Sequence, residues 1–565
     1  MPTGILPFQF FAIFPPAPTL YHVADMQVLT SEEMRATDRR TIEQHGIPSR
    51  ALMERAGSAV ASFALQHFQL ARRITVMAGG GNNGGDGLVA ARMLAAAGRA
   101  VTVLMLAARD RLSEDCAVML EELGQEAIFC STPAELAAHR DKISSADLIV
   151  DALLGTGFKP PLRELAAAAI AMVAATDAPV LAVDLPSGWD ADSTQQATGP
   201  AMPADAVLTF TSPKTAHVYG MLTRRWTDPI AVVPIGSPAE AIQSARRLHW
   251  AGGSLAIAQK PRRIDANKGS FGHVLVLGGS PGKIGAPVMA SIAALRSGAG
   301  LVTLAVPESQ RVLAAGFHPE LMTYGLRESR VGTINERNLE DLSPLIQGKT
   351  VLALGPGMGV DDETTAFVEG VCSHTSLPLV LDADALNVLA KRPRVLNAAA
   401  KRSSLVLTPH PGEMARLTGF SVAEVQADRE GVAGRFAIDH NCILVLKGWR
   451  TIVAHPSGEV AVNTTGNPAM AKGGSGDTLT GLIAGLLAQH PEQPGAAVEA
   501  AVCLHGLAAD FATRAGDEHT ALATDVLEHL FCAFRYQTLT KGGYVYLQGA
   551  AQAASQPESR RGSRP

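Results

Sequence analysis

The sequence predicts an α/β protein built as two αβα three-layer domains. Three observations carry this expectation. The chain has 565 residues, too many for one ordinary hydrophobic core. Its residues are 47% apolar, which suits buried strands covered by helices on both faces. In both halves, short β-rich runs end in Gly-, Asn-, Asp- or Ser-rich loops and pass into helical segments. That is the pattern of a doubly wound sheet, whose ligands sit at the C-terminal strand edge.

Composition excludes several function classes. The net charge is −5, so no basic field argues for nucleic acid, and no basic amphipathic helix argues for a membrane. Cys116, Cys130, Cys372, Cys442, Cys503 and Cys532 form no Cys-x-x-Cys pair. They read as buried thiols of a reducing compartment, and a cytoplasmic location is expected. Residues 1–25 contain the apolar run Pro7-Phe-Gln-Phe-Phe-Ala-Ile-Phe-Pro-Pro16 but no basic residue before Arg35. This fits neither a signal peptide nor a span. A disordered extension is expected, or a start at Met26, which an N-terminal peptide found by mass spectrometry would decide.

Regular structure begins after Met26. Ser31-Glu-Glu-Met34 reads as a helix start with Ser31 as cap. Arg73–Ala78 reads as a strand, followed by the loop Gly79-Gly-Gly-Asn-Asn-Gly-Gly-Asp-Gly87 and a helix over 88–97. Strands follow at Val101–Leu106, Leu148–Asp151 and Val180–Asp184. Gly79-x-Gly81-x-x-Gly84 matches the dinucleotide fingerprint only formally. Asp86 would repel a pyrophosphate, and the second strand ends in Ala107-Ala-Arg109 with no acid for a ribose. Asn and Asp oxygens suit instead a polar group or a hard cation. Asp151 and Asp184 at strand ends read as ligands or as helix caps. Lys159 and Lys214 read as functional or as solvated surface charges.

Gly236–Lys268 shifts composition and reads as a linker that begins the second domain. Strands are expected at His273–Leu277, Leu301–Val306, Thr350–Leu354, Leu379–Asp382, Leu405–Thr408 and Ile443–Lys447. Asp382 and Asp384 could hold magnesium through water or cap helices. Lys447 could meet phosphate or lie on the surface. His410, between Pro409 and Pro411, is a ligand or a core histidine. The stretch Asn467-Pro-Ala-Met-Ala-Lys-Gly-Gly-Ser-Gly-Asp477 leads into an apolar helix. Its glycines let backbone N–H groups and the helix N-terminus form an anion site. A carboxylate beside bound phosphate suggests a base acting on a hydroxyl. Lys541–Pro565, rich in Gly, Ala, Ser, Gln and Arg, reads as a disordered tail.

These motifs carry two resemblances. Gly81-Asn-Asn-Gly-Gly-Asp-Gly87, Val150-Asp-Ala-Leu-Leu-Gly-Thr-Gly157 and Val183-Asp-Leu-Pro-Ser-Gly188 resemble the NAD(P)H-hydrate epimerases over about 26–240. The resemblance implies that Asn82, Asn83, Gly84, Gly85 and Asp86 bind the hydrated nucleotide. It places a potassium ion on Asn83, Asp151 and Ser187. It lays Gly155, Thr156, Gly157, Phe158, Lys159, Pro160 and Pro161 over the phosphates. It makes Asp184 a substrate ligand and acid/base, with Lys214 as a second catalytic residue. The family often continues with Gly after its Pro-Lys, where this chain has Thr215-Ala-His217.

The Gly-Gly-Ser-Gly-Asp loop is similar to that of ribokinase-like proteins, and the longer string resembles the ADP-dependent NAD(P)H-hydrate dehydratases over about 250–535. By that resemblance Ala286, Gly357 and His410 contact the hydrated nicotinamide. Lys447, Gly448, Trp449, Arg450 and Thr451, with Gly476, bind the adenosine part of ADP. Asp477 contacts substrate and acts as base. Pro287 stands where the family usually has a small residue such as Ala. The two resemblances imply an N-terminal Rossmann-like domain over 26–240 and a C-terminal ribokinase-like domain over 241–540. They imply substrates NADHX and NADPHX, ADP as co-substrate, K+ in the first domain and Mg2+ in the second. A homo-oligomer is the expected assembly, without nucleic-acid or membrane partners. The competing readings are an ATP-dependent kinase for a small hydroxylated vitamin precursor, and a first domain that only binds a nucleotide or protein partner.

Overall fold

The computed structural model describes Val23 and residues 26–540 and 542–550. The expectation for 1–25 therefore falls, Val23 aside, outside the described residues, as do Lys541 and 551–565. The chain divides into two compact units. One comprises the chain up to Ala245 with Leu539–Gly549, and the other is centred on Arg246–Thr538.

The first unit contains β1 (Arg73–Ala78), β2 (Ala100–Met105), β3 (Ile128–Phe129), β4 (Leu148–Ala152), β5 (Val180–Val183), β6 (Ala206–Phe210) and β7 (Ile230–Val233). The second contains β8 (Leu248–Trp250), β9 (His273–Leu277), β10 (Leu301–Pro307), β11 (Met322–Leu326), β12 (Val351–Leu354), β13 (Leu379–Leu381), β14 (Leu405–Leu407), β15 (Ile443–Leu446), β16 (Ile452–Ala454) and β17 (Val460–Val462). A last strand, β18 (Val545–Gln548), returns to the first unit.

The first sheet has the order β18-β7-β6-β5-β4-β1-β2-β3, and the second β11-β10-β9-β12-β13-β14-β15-β16-β17-β8. Pairing is parallel except β18 on β7 and the two joints at β16. The central strands are buried on both faces, which is why β5 and β12 read as unbroken apolar runs and β4 as one broken only by Asp151. The strand order reverses between β1 and β4 in the first sheet, and in the second between β9 and β12 and again where β8 pairs with β17. Such a reversal leaves a crevice outside the strand ends.

Two sequence expectations are corrected. Thr30, not Ser31, caps the helix Ser31–Glu43, in a reciprocal box with Glu33. Ser31 instead donates its N–H and hydroxyl to Asp192, both at 2.6 Å. The expected disorder from Lys541 is overturned for 542–550. Tyr544, Val545, Tyr546 and Leu547 are buried, and β18 pairs antiparallel with β7. Gly and Ala on either side mask this β-branched and aromatic run in composition. Five of the six cysteines are buried and Cys532 only partly, and all are free. Pro494–Ala515 is long and apolar enough to cross a bilayer, but 83% of its apolar window is buried inside the protein.

Candidate active sites

The loops after β1 and β4 open on one cavity of about 1440 Å³ in the first unit. Asn82, Asn83, Gly84, Gly85 and Asp86 do not form a free loop before a helix at Leu88. They are the first turns of the helix Asn82–Ala96 itself. The glycines permit close packing: a Cβ on Gly84 would lie 1.9 Å from the Gly79 carbonyl oxygen, and one on Gly87 2.4 Å from the Ala152 Cβ.

Asp184 follows β5 in a left-handed conformation, φ 64°. Such strain costs on the order of 1–3 kcal/mol in a non-glycine residue. The surroundings hold it. Lys214 Nζ meets Asp184 Oδ1 at 2.8 Å, and Thr209 donates its hydroxyl to the same oxygen. Thr156 donates its N–H at 3.0 Å and its hydroxyl at 2.6 Å to Oδ2. The Lys214 N–H donates to His217 Nδ1, which leaves Nε2–H to donate to the Asp184 carbonyl at 2.7 Å. Burial alone would raise the Asp184 carboxyl, but the Lys214 ammonium, His217 and these hydrogen bonds override it and hold the group well below the usual carboxylate range. Burial and the Lys214 charge lower His217 to about 4, so it is neutral. Lys214, 1% exposed, is no surface lysine.

Asp151 and Ser187 are fully buried. Ser187 donates its hydroxyl at 2.6 Å and its N–H at 2.8 Å to Asp151, so Asp151 is not a simple helix cap. Burial outweighs these bonds and pushes Asp151 up to about 6. The Leu154 N–H binds the Ser187 hydroxyl, and the next residue, Gly155, packs on the Asn83 amide. The Asn83 Nδ2 is buried without a hydrogen-bond partner. A half-turn of that amide would present its oxygen. A buried carboxylate short of counter-charge, a hydroxyl and a redirectable amide fit a cation.

Gly155, Thr156, Gly157, Phe158, Lys159 and Pro161 line the cavity with Asp184 and Lys214. Lys159 does not offer an unmatched charge, because Asp190 and Asp192 hold it at 2.7 and 2.6 Å. Arg35, Arg111 and Arg163, which sequence reasoning passed over, line the same cavity. So does Asp38, pushed up to about 6 by burial and also raised by Asp184, with Lys214 opposing. Its available signal was its place beside buried Met34, Thr37 and Thr41 on one helix face. Asp86 is raised well above its ordinary value by burial and by Asp184 and Asp38.

In the second unit the loops after β9 and β12 bring Ala286 and Gly357 together. Gly357 has φ 64°, and its Cβ would sit 3.4 Å from the Ala286 Cβ. Gly474, φ 96°, caps the helix Ser475–Gln489, whose first turn carries Gly476 and Asp477. That helix lies close on Gly285–Arg296, for a Cβ on Gly481 would meet the Ala290 oxygen at 1.9 Å. Asp382, 2% exposed, caps no helix. It accepts from Lys447 Nζ and from the Thr480 hydroxyl, both at 2.8 Å. Glu413 lies 3.9 Å from the same ammonium. Lys447 is thus an interior charge beside Gly476, whose Cβ position is 3.4 Å from Nζ. Asp384 accepts the Gly359 N–H at 2.9 Å.

Burial, with Asp382 and Asp384 adding to it and Lys447 opposing, pushes Asp477 up to about 6. His410 is the N-cap of Pro411–Thr418, with its Nδ1 accepting from Gly412 and Glu413. Its side chain is 52% exposed, so it is not a core histidine. Gly448, Trp449 and Thr451 lie in the turn between β15 and β16. Arg450 departs from the expected nucleotide-facing role. It is buried, donates to the Thr464 carbonyl at 2.6 Å, and lies 4.4 Å over the Trp449 ring.

Comparison with known proteins gives two family matches. Residues 274–531 match a family described as NAD(P)H-hydrate dehydratase, and residues 49–216 match the YjeF-related protein N-terminus. The bifunctional NAD(P)H-hydrate repair enzyme Nnr of Moorella thermoacetica is 41% identical over 518 residues, covering 89% of this chain and 96% of that protein. The enzyme of the same name from Escherichia coli is 34% identical over 504 residues, covering 88% and 92%. A solved ADP/ATP-dependent NAD(P)H-hydrate dehydratase of Bacillus subtilis, co-crystallised with ATP and Mg2+, is 33% identical with a TM-score of 0.43, covering 50% of this chain and 96% of that one.

Proposed function

Because the chain belongs to the family of bifunctional NAD(P)H-hydrate repair enzymes, we propose that its first unit interconverts the R and S forms of NAD(P)H-hydrate and its second dehydrates the S form with ADP. The products are NAD(P)H, AMP and phosphate.

In the second unit Asp477 takes the proton of the C6 hydroxyl as that oxygen attacks the terminal phosphoryl of ADP. A carboxyl raised to about 6 is ionised at neutral pH yet more basic than an ordinary aspartate. The N–H groups of Gly474 to Gly476 and the helix N-terminus stabilise the developing charge, with Lys447 alongside. Phosphate then leaves with help from the ring nitrogen, and loss of a ring proton restores the double bond. Asp382 and Asp384 would hold Mg2+ through water, and the ion when bound would neutralise phosphate charge. Ala286, Gly357 and His410 bind the nicotinamide end, and Lys447, Gly448, Trp449 and Thr451 with Gly476 hold the adenosine.

In the first unit Asp184 and Lys214 move the proton as the C6 oxygen leaves and returns. Asp184 is the ionised partner, so it accepts while the ammonium donates. Asn82, Asp86 and the segment 155–161 hold the nucleotide. Asn83, Asp151 and Ser187 would hold K+, whose charge would compensate the buried carboxylate. Buried thiols support a cytoplasmic location.

The observation that carries this reading is the raised Asp477 at a glycine-rich helix N-terminus beside Lys447. Absorbance at 340 nm tests it, on a mixture of both NADH-hydrate epimers with ADP, ATP or no nucleotide. Full recovery with ADP supports both activities. Recovery of one epimer alone removes the epimerase, and no recovery with either nucleotide overturns the repair reading in favour of the kinase.

A further inference from the structure

Among the described residues one group of three metal-binding side chains converges in the second unit, none of them among the residues assigned above: His249, His455 and Glu499. They come from three elements. His249 lies on β8, His455 follows β16, and Glu499 is in the helix Pro494–Ala515. Both imidazoles aim Nε2 at one oxygen, Glu499 Oε1, at 3.0 Å from His249 and 2.7 Å from His455. The other oxygen, Oε2, accepts the Ser254 hydroxyl at 2.6 Å. All ligand atoms lie within 4.8 Å of one another, and the glutamate and His455 are buried.

We propose that His249, His455 and Glu499 form a binding site for a divalent transition ion of the zinc type, fastening β8 and β16 to the helix Pro494–Ala515. The donor set decides the class. Two imidazoles and a carboxylate suit zinc-type ions, whereas magnesium takes oxygen ligands. Zinc bonds of roughly 2.0–2.1 Å set neighbouring ligand atoms roughly 3.3 Å apart. The His249 nitrogen therefore needs to draw back from the oxygen by roughly 0.3 Å and the His455 nitrogen by roughly 0.6 Å. An imidazole whose proton sits on Nδ1 offers Nε2 to an ion. The Ser254 hydroxyl supplies the outer hydrogen bond that orients a ligating carboxylate. His455 also lines a cavity of about 540 Å³, which gives an ion a route in. A Cβ on Gly495 would lie 3.0 Å from the His455 ring, so the glycine leaves that ring room to turn.

The proposal does not depend on the repair reading, and its test reads metal directly. The full chain is stripped with a chelator and titrated with Co2+ and then Zn2+ in the presence of excess Mg2+. The expected result is one bound equivalent, visible Co2+ ligand-field bands that Zn2+ abolishes, and a thermal midpoint raised by Zn2+. His249→Gln, His455→Gln and Glu499→Gln are each expected to abolish the bands. Ser254→Ala, which leaves the ligands in place, is expected to weaken binding by about tenfold or more. Absence of binding by the unaltered chain overturns the proposal and leaves a hydrogen-bonded His–Glu–His cluster. Binding that survives all four substitutions overturns it equally, because the ion then sits elsewhere.

Discussion

Lys214 shows how much a single residue can be asked to do. Its ammonium is buried against Asp184, and its own N–H is fixed by a neutral His217 that also holds the Asp184 carbonyl. Breaking a buried pair leaves an uncompensated charge, which costs about 3–5 kcal/mol. Lys214→Met is therefore expected to destabilise the first unit by about that amount in urea unfolding and to stop epimer exchange. Asp477 behaves oppositely. Its carboxyl sits at about 6 instead of 3.8, so the folded protein holds that proton more tightly than the unfolded chain does. The stability it contributes is fully present below pH 3.8 and lost as pH rises through about 6. Above pH 6 the protein carries a half-buried carboxylate at a cost. Asp477→Asn is expected to raise the thermal midpoint at pH 7.5 while slowing dehydration by about 100-fold or more. In the unaltered protein the dehydration rate is expected to climb with pH and reach half its plateau near pH 6, which a pH–rate profile checks.

At the scale of elements, strand-end loops and helix starts were legible because Gly, Asn and Asp punctuate them. Their exact junctions were not. The helix Asn82–Ala96 begins inside the expected loop because Gly84 and Gly87 press the backbone against Gly79 and Ala152. A glycine cluster in sequence does not separate a flexible turn from a tightly packed helix start. β18 was missed for the complementary reason: its partner β7 is more than 300 residues away. Its side chains are almost wholly buried. Truncation after Thr540 is expected to destabilise the first unit by on the order of 5 kcal/mol, an upper figure for the apolar area lost. Thermal unfolding and limited proteolysis of the shortened chain check this, with the dehydratase activity expected to persist.

For the whole molecule, two sheets with the same kind of strand reversal carry two different chemistries in one chain. The epimerase supplies the form that the dehydratase consumes. If the hydrate passes between sites through solution, Asp184→Asn and Asp477→Asn proteins mixed together are expected to recover both epimers at 340 nm. Each variant alone is expected to recover at most one. Failure of the mixture would mean that both sites must act within one chain.

By itself the sequence determined the two layered α/β units, the order of their strands along the chain and the motifs that mark each site. Apolar runs and glycine-rich strand ends are local signals, so Asp184, Asp477 and the Asn82–Asp86 cluster stood out without coordinates. Tertiary structure alone decided which charges meet. It matched Lys159 with Asp190 and Asp192, paired a half-buried Lys447 with Asp382, turned Arg450 inward and brought Asp38 to the Asp184 cavity. It also decided that a strand near the C-terminus completes the first sheet. The physical reason is common to all of these. Ion pairing, burial and strand pairing join residues far apart in the chain, and their energies depend on distances that no local pattern encodes.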